Sequence, residues 1–350
     1  MLLIVIGAIY LATLSGTYDV KRSRIINAEP NVVFNEINDY KNWKDWGPWY
    51  EQDSTIVPEY DANTVGKGAG YSWTSKKEGG GSMETVDVEK PSKIDQVVYF
   101  KNPFGEMKSD ILWKMEKVTE GTNVTWEMKG EMDFFYRFMT KGMEKQMGPM
   151  LERGLELLGK NIEDELKIYS IQTDGVIDYS GGFYLYNTTS SRIEEIGAKY
   201  PEMLAKIHTF IKVNSIRTTG APFTMYHKFD ELNGTAMYSV CYPVSERIIT
   251  PTDTDILSGF MESGKYYKTI LKGSYTNSKE AWNKANAAVE DLTEYQNKEN
   301  GEPFELYVNS PVETPSPANL ITEIYIPVEK IKAPPPAAVP KLLQLDSILK

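Results

Sequence analysis

The 350-residue chain is too long for one ordinary domain and comfortable for two. With 41% hydrophobic and 12% aromatic residues it has enough apolar surface to bury cores, which excludes general disorder. A formal charge of -11 with no long basic run argues against nucleic acid as a partner.

In chain order, the first feature is the stretch MLLIVIGAIYLATLSGTYDV, which carries no charge before Asp19. That is about the shortest length that crosses a hydrocarbon core as a helix. Residues 1–17 are therefore expected to be a single-pass N-terminal transmembrane helix that places the protein at a membrane. A cleaved signal peptide and a buried first element are the alternatives; the basic region that opens a signal peptide is missing before Leu2. From Tyr18 the alternation in YDVKRSRIINA predicts a strand, and Pro30 opens a short helix over NVVFNEINDY. After the tryptophan-rich run NWKDWGPWY come YSWTSKK, SMETVDVEK, DQVVYF, SDILWKMEKV and NVTWEMKGEM, a meander of antiparallel strands. Residues 138–168 then repeat apolar positions every three or four residues, including Met143, Met147, Leu151, Leu155 and Ile162. Strands followed by one long closing helix predict a helix-grip sheet with a cavity between sheet and helix.

A second pattern starts near Ile171. Each half of it runs strand, helix, strand, strand, with helices over 191–211 and 278–292. This internal duplication predicts two similar units about a pseudo-twofold. The expected division is thus 1–17 anchor, 18–168 first domain, 169–330 second domain and 331–350 a Pro-rich tail; the overall class is α+β.

The strand from Tyr18, the Ala28-Glu29-Pro30-Asn31-Val32-Val33-Phe34 opening of the first helix, and Trp43, Trp46 and Trp49 resemble START-like proteins, the superfamily of polyketide cyclases and lipid-transfer domains. The second half resembles the GyrI-like effector-binding domain. Its match rests on Gly264-Lys265-Tyr266, Gly273-Ser274-Tyr275, Ala281-Trp282, Pro303-Phe304-Glu305-Leu306-Tyr307 and Thr322-Glu323-Ile324-Tyr325-Ile326-Pro327. The resemblance implies that Glu305 faces a central cleft and meets the ligand.

Glu305 stands in an otherwise apolar-aromatic strand, and alternation puts it on one face with Tyr307. A carboxylate among aromatic rings suits flat, lipophilic cations. Tyr226, Tyr238, Tyr275 and Trp282 are candidate walls of that cleft, although each ring serves equally well in a core. In the first domain, Trp46, Trp73, Trp113, Met143 and Met147 are candidates for lining an apolar cavity that takes a lipid or hydrophobic small molecule. His208 and His227 lack zinc-ligand spacing, Cys241 has no second cysteine, and no dinucleotide, P-loop or Ser-His-Asp pattern is legible, so neither metal nor cofactor is expected. Three functions compete: a membrane-held, non-enzymatic binder or sensor of lipophilic molecules; a hydrolase or cyclase with Glu305 as base; and an accessory subunit that binds protein partners in a membrane complex.

Overall fold

The computed structural model describes residues 9–77, 79–102, 105–311, 313–314 and 316–331. The chain divides into two units, Met1–Ser170 with Leu271–Ser278 and Asn309–Ile321, and the remaining segments Ile171–Ile270, Lys279–Val308 and Thr322–Lys350. Both are α+β with antiparallel sheets.

In the first unit the alternating runs form β1 (Thr17–Ile26), β2 (Val57–Tyr60), β3 (Gly70–Thr74), β4 (Gly80–Glu89), β5 (Lys93–Asn102), β6 (Gly105–Val118) and β7 (Gly121–Glu131). Their order in the sheet is β1-β7-β6-β5-β4-β3-β2. The sequence between β1 and β2 folds into α1 (Pro30–Asn38), α2 (Trp43–Trp46) and α3 (Pro48–Gln52), and α4 (Thr140–Leu166) closes the unit. Pro30 at the first turn of α1 is preorganised for a helix and lacks only an N–H that would be orphaned anyway. Along α4 the three-and-four spacing buries Met143, Leu151, Leu155, Leu158 and Ile162 on one face. Gly154 lets that face come close: a Cβ there would lie 2.5 Å from the Trp126 ring and 3.2 Å from Pro48. Helical geometry starts later than the periodicity suggests, because Phe134–Met139 winds as a 3-10 turn before α4.

The second unit is built on β8 (Ser170–Tyr179), β9 (Gly182–Arg192), α5 (Ile196–Val213), β10 (Phe223–Asp230), β11 (Thr235–Val244), β12 (Leu257–Met261), β13 (Gly264–Lys272), α6 (Ser278–Glu290), β14 (Tyr295–Asn297), β15 (Phe304–Tyr307) and β16 (Ile321–Lys330). The sheet runs β12-β9-β11-β10-β15-β16-β13-β8. Read as β9-α5-β10-β11 and β13-α6-β15-β16, the two halves exchange under a pseudo-twofold between β10 and β15. On one face Leu185, Tyr238, Val240 and Val244 pack with Met203 and Ile207 of α5. On the other, Phe223, Met225, Cys241, Tyr266, Phe304 and Tyr325 form an aromatic layer, with Phe304 stacked on Tyr325 at 4.7 Å.

The N-terminal anchor is corrected. Residues 1–8 lie outside the described residues, and the helix that follows covers only 9–13. Thr13 Oγ1 donates back to the Tyr10 carbonyl, Leu14 is buried, the Thr17 N–H donates to Ser15 Oγ, and Thr17 already pairs with Glu131 in the sheet. Small polar residues thus end this helix and commit the chain to β1. Among the described residues no helix is long and apolar enough to cross a membrane, which overturns the expected single-pass location and leaves the membrane partner without support. The Pro-rich tail falls on 332–350, outside the described residues, apart from Ile331.

Candidate functional site

The pseudo-twofold meets the sheet at one residue pair, Thr224 on β10 opposite Glu305 on β15. The surrounding sequence is duplicated: Pro222-Phe223-Thr224-Met225-Tyr226 in one half matches Pro303-Phe304-Glu305-Leu306-Tyr307 in the other. The backbone repeats the relation, since the Tyr226 N–H donates to the Pro303 carbonyl at 2.9 Å and the Tyr307 N–H to the Pro222 carbonyl at 3.0 Å. Phe223 and Phe304 point to the aromatic layer, so alternation turns Thr224, Tyr226, Glu305 and Tyr307 to the face covered by the helices.

There the rings are exchanged between halves. Trp282 of α6 meets Tyr226 edge-on at 5.7 Å, and Tyr200 of α5 meets Tyr307 edge-on at 4.9 Å. Glu305 lies inside this box and is 5% exposed, while Thr224 is fully buried. The Trp282 indole N–H donates to Glu305 Oε1, Tyr307 Oη lies 3.0 Å from Oε2, and the Tyr226 hydroxyl is a further donor. Burial raises the Glu305 pKa, and the three donors oppose that rise without cancelling it. Burial, followed by the nearby Glu305 charge, also pushes the Tyr226 and Tyr307 phenols well up. Among the described residues no cation takes part in setting the ionisation of Glu305.

The structure therefore brings together four of the sequence candidates, Glu305, Tyr307, Tyr226 and Trp282. Tyr238 borders them, 6.5 Å from Tyr226, with a buried hydroxyl that has no hydrogen-bond partner among the described residues. Tyr275 is not among them; it belongs to the first unit, where its hydroxyl donates to the Asn309 carbonyl at 3.4 Å. Thr224 and Tyr200 were missed, though the matched pentapeptides point at Thr224.

His227, solitary in sequence, is not solitary in space. It is the extra residue of a bulge in β10; its Nδ1 lies 2.6 Å from Glu302 Oε1 and its Nε2 2.6 Å from Ser239 Oγ, itself 2.7 Å from Thr188 Oγ1. Ser239 is 1% exposed while Glu302 is exposed, so this acid–imidazole–hydroxyl chain runs from the surface to a buried hydroxyl and presents no open nucleophile.

In the first unit Trp46 and Trp113 are fully buried, 6.1 Å apart and edge-on, and Trp113 stacks on Trp126 at 4.3 Å. The Trp113 indole donates to Gln96 Oε1 at 2.9 Å, whereas the buried N–H groups of Trp46 and Trp126 have no partner among the described residues. Trp73 is half-buried against Tyr71 and Phe100, Met143 is buried and Met147 half-buried on the same core. A separate carboxylate, Glu36 of α1, is buried between Asn161 and Asn42. Among the described residues no group of His, Cys, Asp and Glu is placed to hold a metal ion.

Comparison with known families finds two domains of small-molecule-binding type. Residues 17–163 match the polyketide cyclase / dehydrase and lipid transport family, and residues 183–329 the GyrI-like small molecule binding domain. The two matches follow one another along the chain in that order. Among solved structures, an EcmrR–DNA complex is similar over 56% of this chain and 70% of that one, at 18% identity and a TM-score of 0.40. The EcmrR C-terminal domain aligns over 47% and 99%, also at 18% identity and 0.40. Protein CV1439 from Chromobacterium violaceum aligns over 41% and 96%, at 13% identity and 0.34. No curated protein matches the chain.

Proposed function

We propose that the protein is a non-enzymatic binder or sensor of small lipophilic molecules, with its specific site at Glu305 and a preference for flat aromatic cations. One observation carries this reading: a carboxylate 5% exposed is held, among the described residues, by neutral donors alone, inside four aromatic rings. A buried carboxylate without a counter-charge is costly. A cationic ligand supplies that charge, and the ring faces of Tyr200, Tyr226, Tyr307 and Trp282 add cation–π attraction of about 0.5–2 kcal/mol. Because Glu305 is enclosed, the ligand reaches it by displacing a ring, and the Trp282 indole is the donor with which it competes.

Calorimetric titration of the full chain with N-methylquinolinium tests this. Glu305→Gln keeps the shape and should weaken binding by about 1–3 kcal/mol; unchanged affinity would remove Glu305 from the site. Glu305 as a general base is the second reading, favoured by the upward push that burial gives its pKa. Turnover lost in the same variant would select it.

A further inference from the structure

Tyr238 is fully buried on β11, and its hydroxyl has no hydrogen-bond partner among the described residues. It sits in the apolar layer between the sheet and α5, with Leu185, Val240, Met203 and Ile207. The polar groups of the neighbouring box are satisfied differently: the Trp282 indole and the Tyr307 and Tyr226 hydroxyls all bond to Glu305. A phenylalanine at 238 would fill the same space without burying an unmatched polar group, so the bare hydroxyl costs the folded chain stability. Such a group in a native structure calls for a reason.

Its place supplies one. Tyr238 is the cross-strand partner of Tyr226, on the same helix-covered face, with the two rings 6.5 Å apart. Tyr226 is also the ring that Trp282 covers edge-on at 5.7 Å, and Trp282 is the donor with which a cation at Glu305 competes. When that indole yields, the ring it uncovers is Tyr226, bounded by Glu305 at one end and by Tyr238 at the other. Strands β15, β10 and β11 are consecutive in the sheet, so those ends stand two strand spacings, roughly 10 Å, apart. A two-ring aromatic with a short substituent spans that length. We propose that Tyr238 sets the specificity of the Glu305 site for flat cations that carry a neutral acceptor oxygen, such as a carbonyl, at the end remote from the charge; the proposal rests on the ligand reading above. An acceptor is the chemistry that fits, because a donor is left bare less readily than an acceptor, and the phenol proton is the half of the hydroxyl that most needs a partner. A cation without such an oxygen still meets Glu305 and leaves the Tyr238 hydroxyl as it is in the free chain. Discrimination between the two kinds of ligand then comes from this one proton.

Two probes of one shape isolate that proton: 6-acetyl-N-methylquinolinium, and 6-isopropenyl-N-methylquinolinium, in which a CH2 group replaces the carbonyl oxygen. Calorimetric titration of the full chain and of Tyr238→Phe with each probe gives four affinities. Comparing the acetyl-to-isopropenyl ratio between the two proteins cancels the different hydration of the probes. That ratio should favour the acetyl probe about tenfold more in the wild type than in Tyr238→Phe, with the change falling on the acetyl probe. The ligand-free chain gives a second readout. Tyr238→Phe keeps the ring and removes the orphaned hydroxyl, so its melting temperature should rise by roughly 2–4 °C. An unmoved ratio with both probes bound would overturn the proposal and leave the ligand reading standing, whereas binding of neither probe would remove both. A lower melting temperature for Tyr238→Phe would also overturn the proposal, because the hydroxyl would then be stabilising the free chain instead of waiting for a partner.

Discussion

Replacing Glu36 by Gln should stabilise the first unit, and the gain should grow with pH. Glu36 is 7% exposed; its Oε1 accepts from Asn161 at 2.9 Å and its Oε2 from Asn42 at 3.2 Å. Burial first, then the charges of Glu165 and Asp45, raise its pKa from 4.5 to about 8. A carboxyl whose folded pKa lies above its unfolded value binds its proton more tightly in the folded state. Its contribution to stability is therefore fully present below about pH 4.5 and is lost as pH rises through about 8. Taken at face value the interval corresponds to about 5 kcal/mol; relaxation and water penetration reduce such figures, which leaves about 2–3 kcal/mol. Glutamine mimics the protonated form, and Asn42 can turn its amide to accept from the new N–H. For a unit of this size that is a rise in melting temperature of roughly 5–10 °C. Six of the seven tryptophans lie before residue 127, so tryptophan fluorescence on heating follows this unit. Wild type and Glu36→Gln should melt together near pH 4.5 and separate by the full amount at pH 9. A separation of equal size at both pH values, or none at pH 9, would refute the reasoning.

Two further substitutions probe the framework. Gly154→Ala, ordinarily a gain of nearly 1 kcal/mol in a helix, should instead cost about 1–3 kcal/mol in denaturant unfolding, because the added methyl meets Trp126 and Pro48. His227→Ala should lower the stability of the second unit by about 1–3 kcal/mol by leaving the buried Ser239 hydroxyl without its imidazole partner, and His227→Gln should recover part of it; calorimetric melting reads both.

The elements were legible where spacing is strict, and the site only where one residue broke a pattern. Alternation and three-and-four spacing located the meander, α4 and the duplicated halves, because core-facing positions must recur at the period of the element. Glu305 was legible as a carboxylate among Phe304, Leu306 and Tyr307. Its counterpart Thr224 was not, since a threonine in a strand is ordinary and its meaning comes from register across the pseudo-twofold. Tyr200 likewise gains its place only when α5 of one half covers Tyr307 of the other. The partners of His227 lie 12 and 75 residues away in sequence and meet through a bulge, beyond what spacing encodes. Apolar composition suggested a membrane span over 1–17 because it does not register where a helix stops; Thr13, Ser15 and Thr17 stop it. Nor does it distinguish a cavity wall from a packed core; Trp46 and Trp113, candidates for a cavity wall, are fully buried among aromatic rings. The assignment of 271–278 and 309–321 to the first unit has no sequence signature at all.

A buried carboxylate should select ligands by charge. The most direct measurement of this compares N-methylquinolinium with 1-methylnaphthalene, of equal shape and no charge, by calorimetry on the full chain and on Glu305→Gln. Glu305→Gln should cost the cation about 1–3 kcal/mol and leave the neutral compound unaffected, and lowering the pH of the wild type should weaken the cation alone as Glu305 takes up its proton. Equal losses for both compounds, or cation affinity indifferent to pH and to Glu305→Gln, would contradict it.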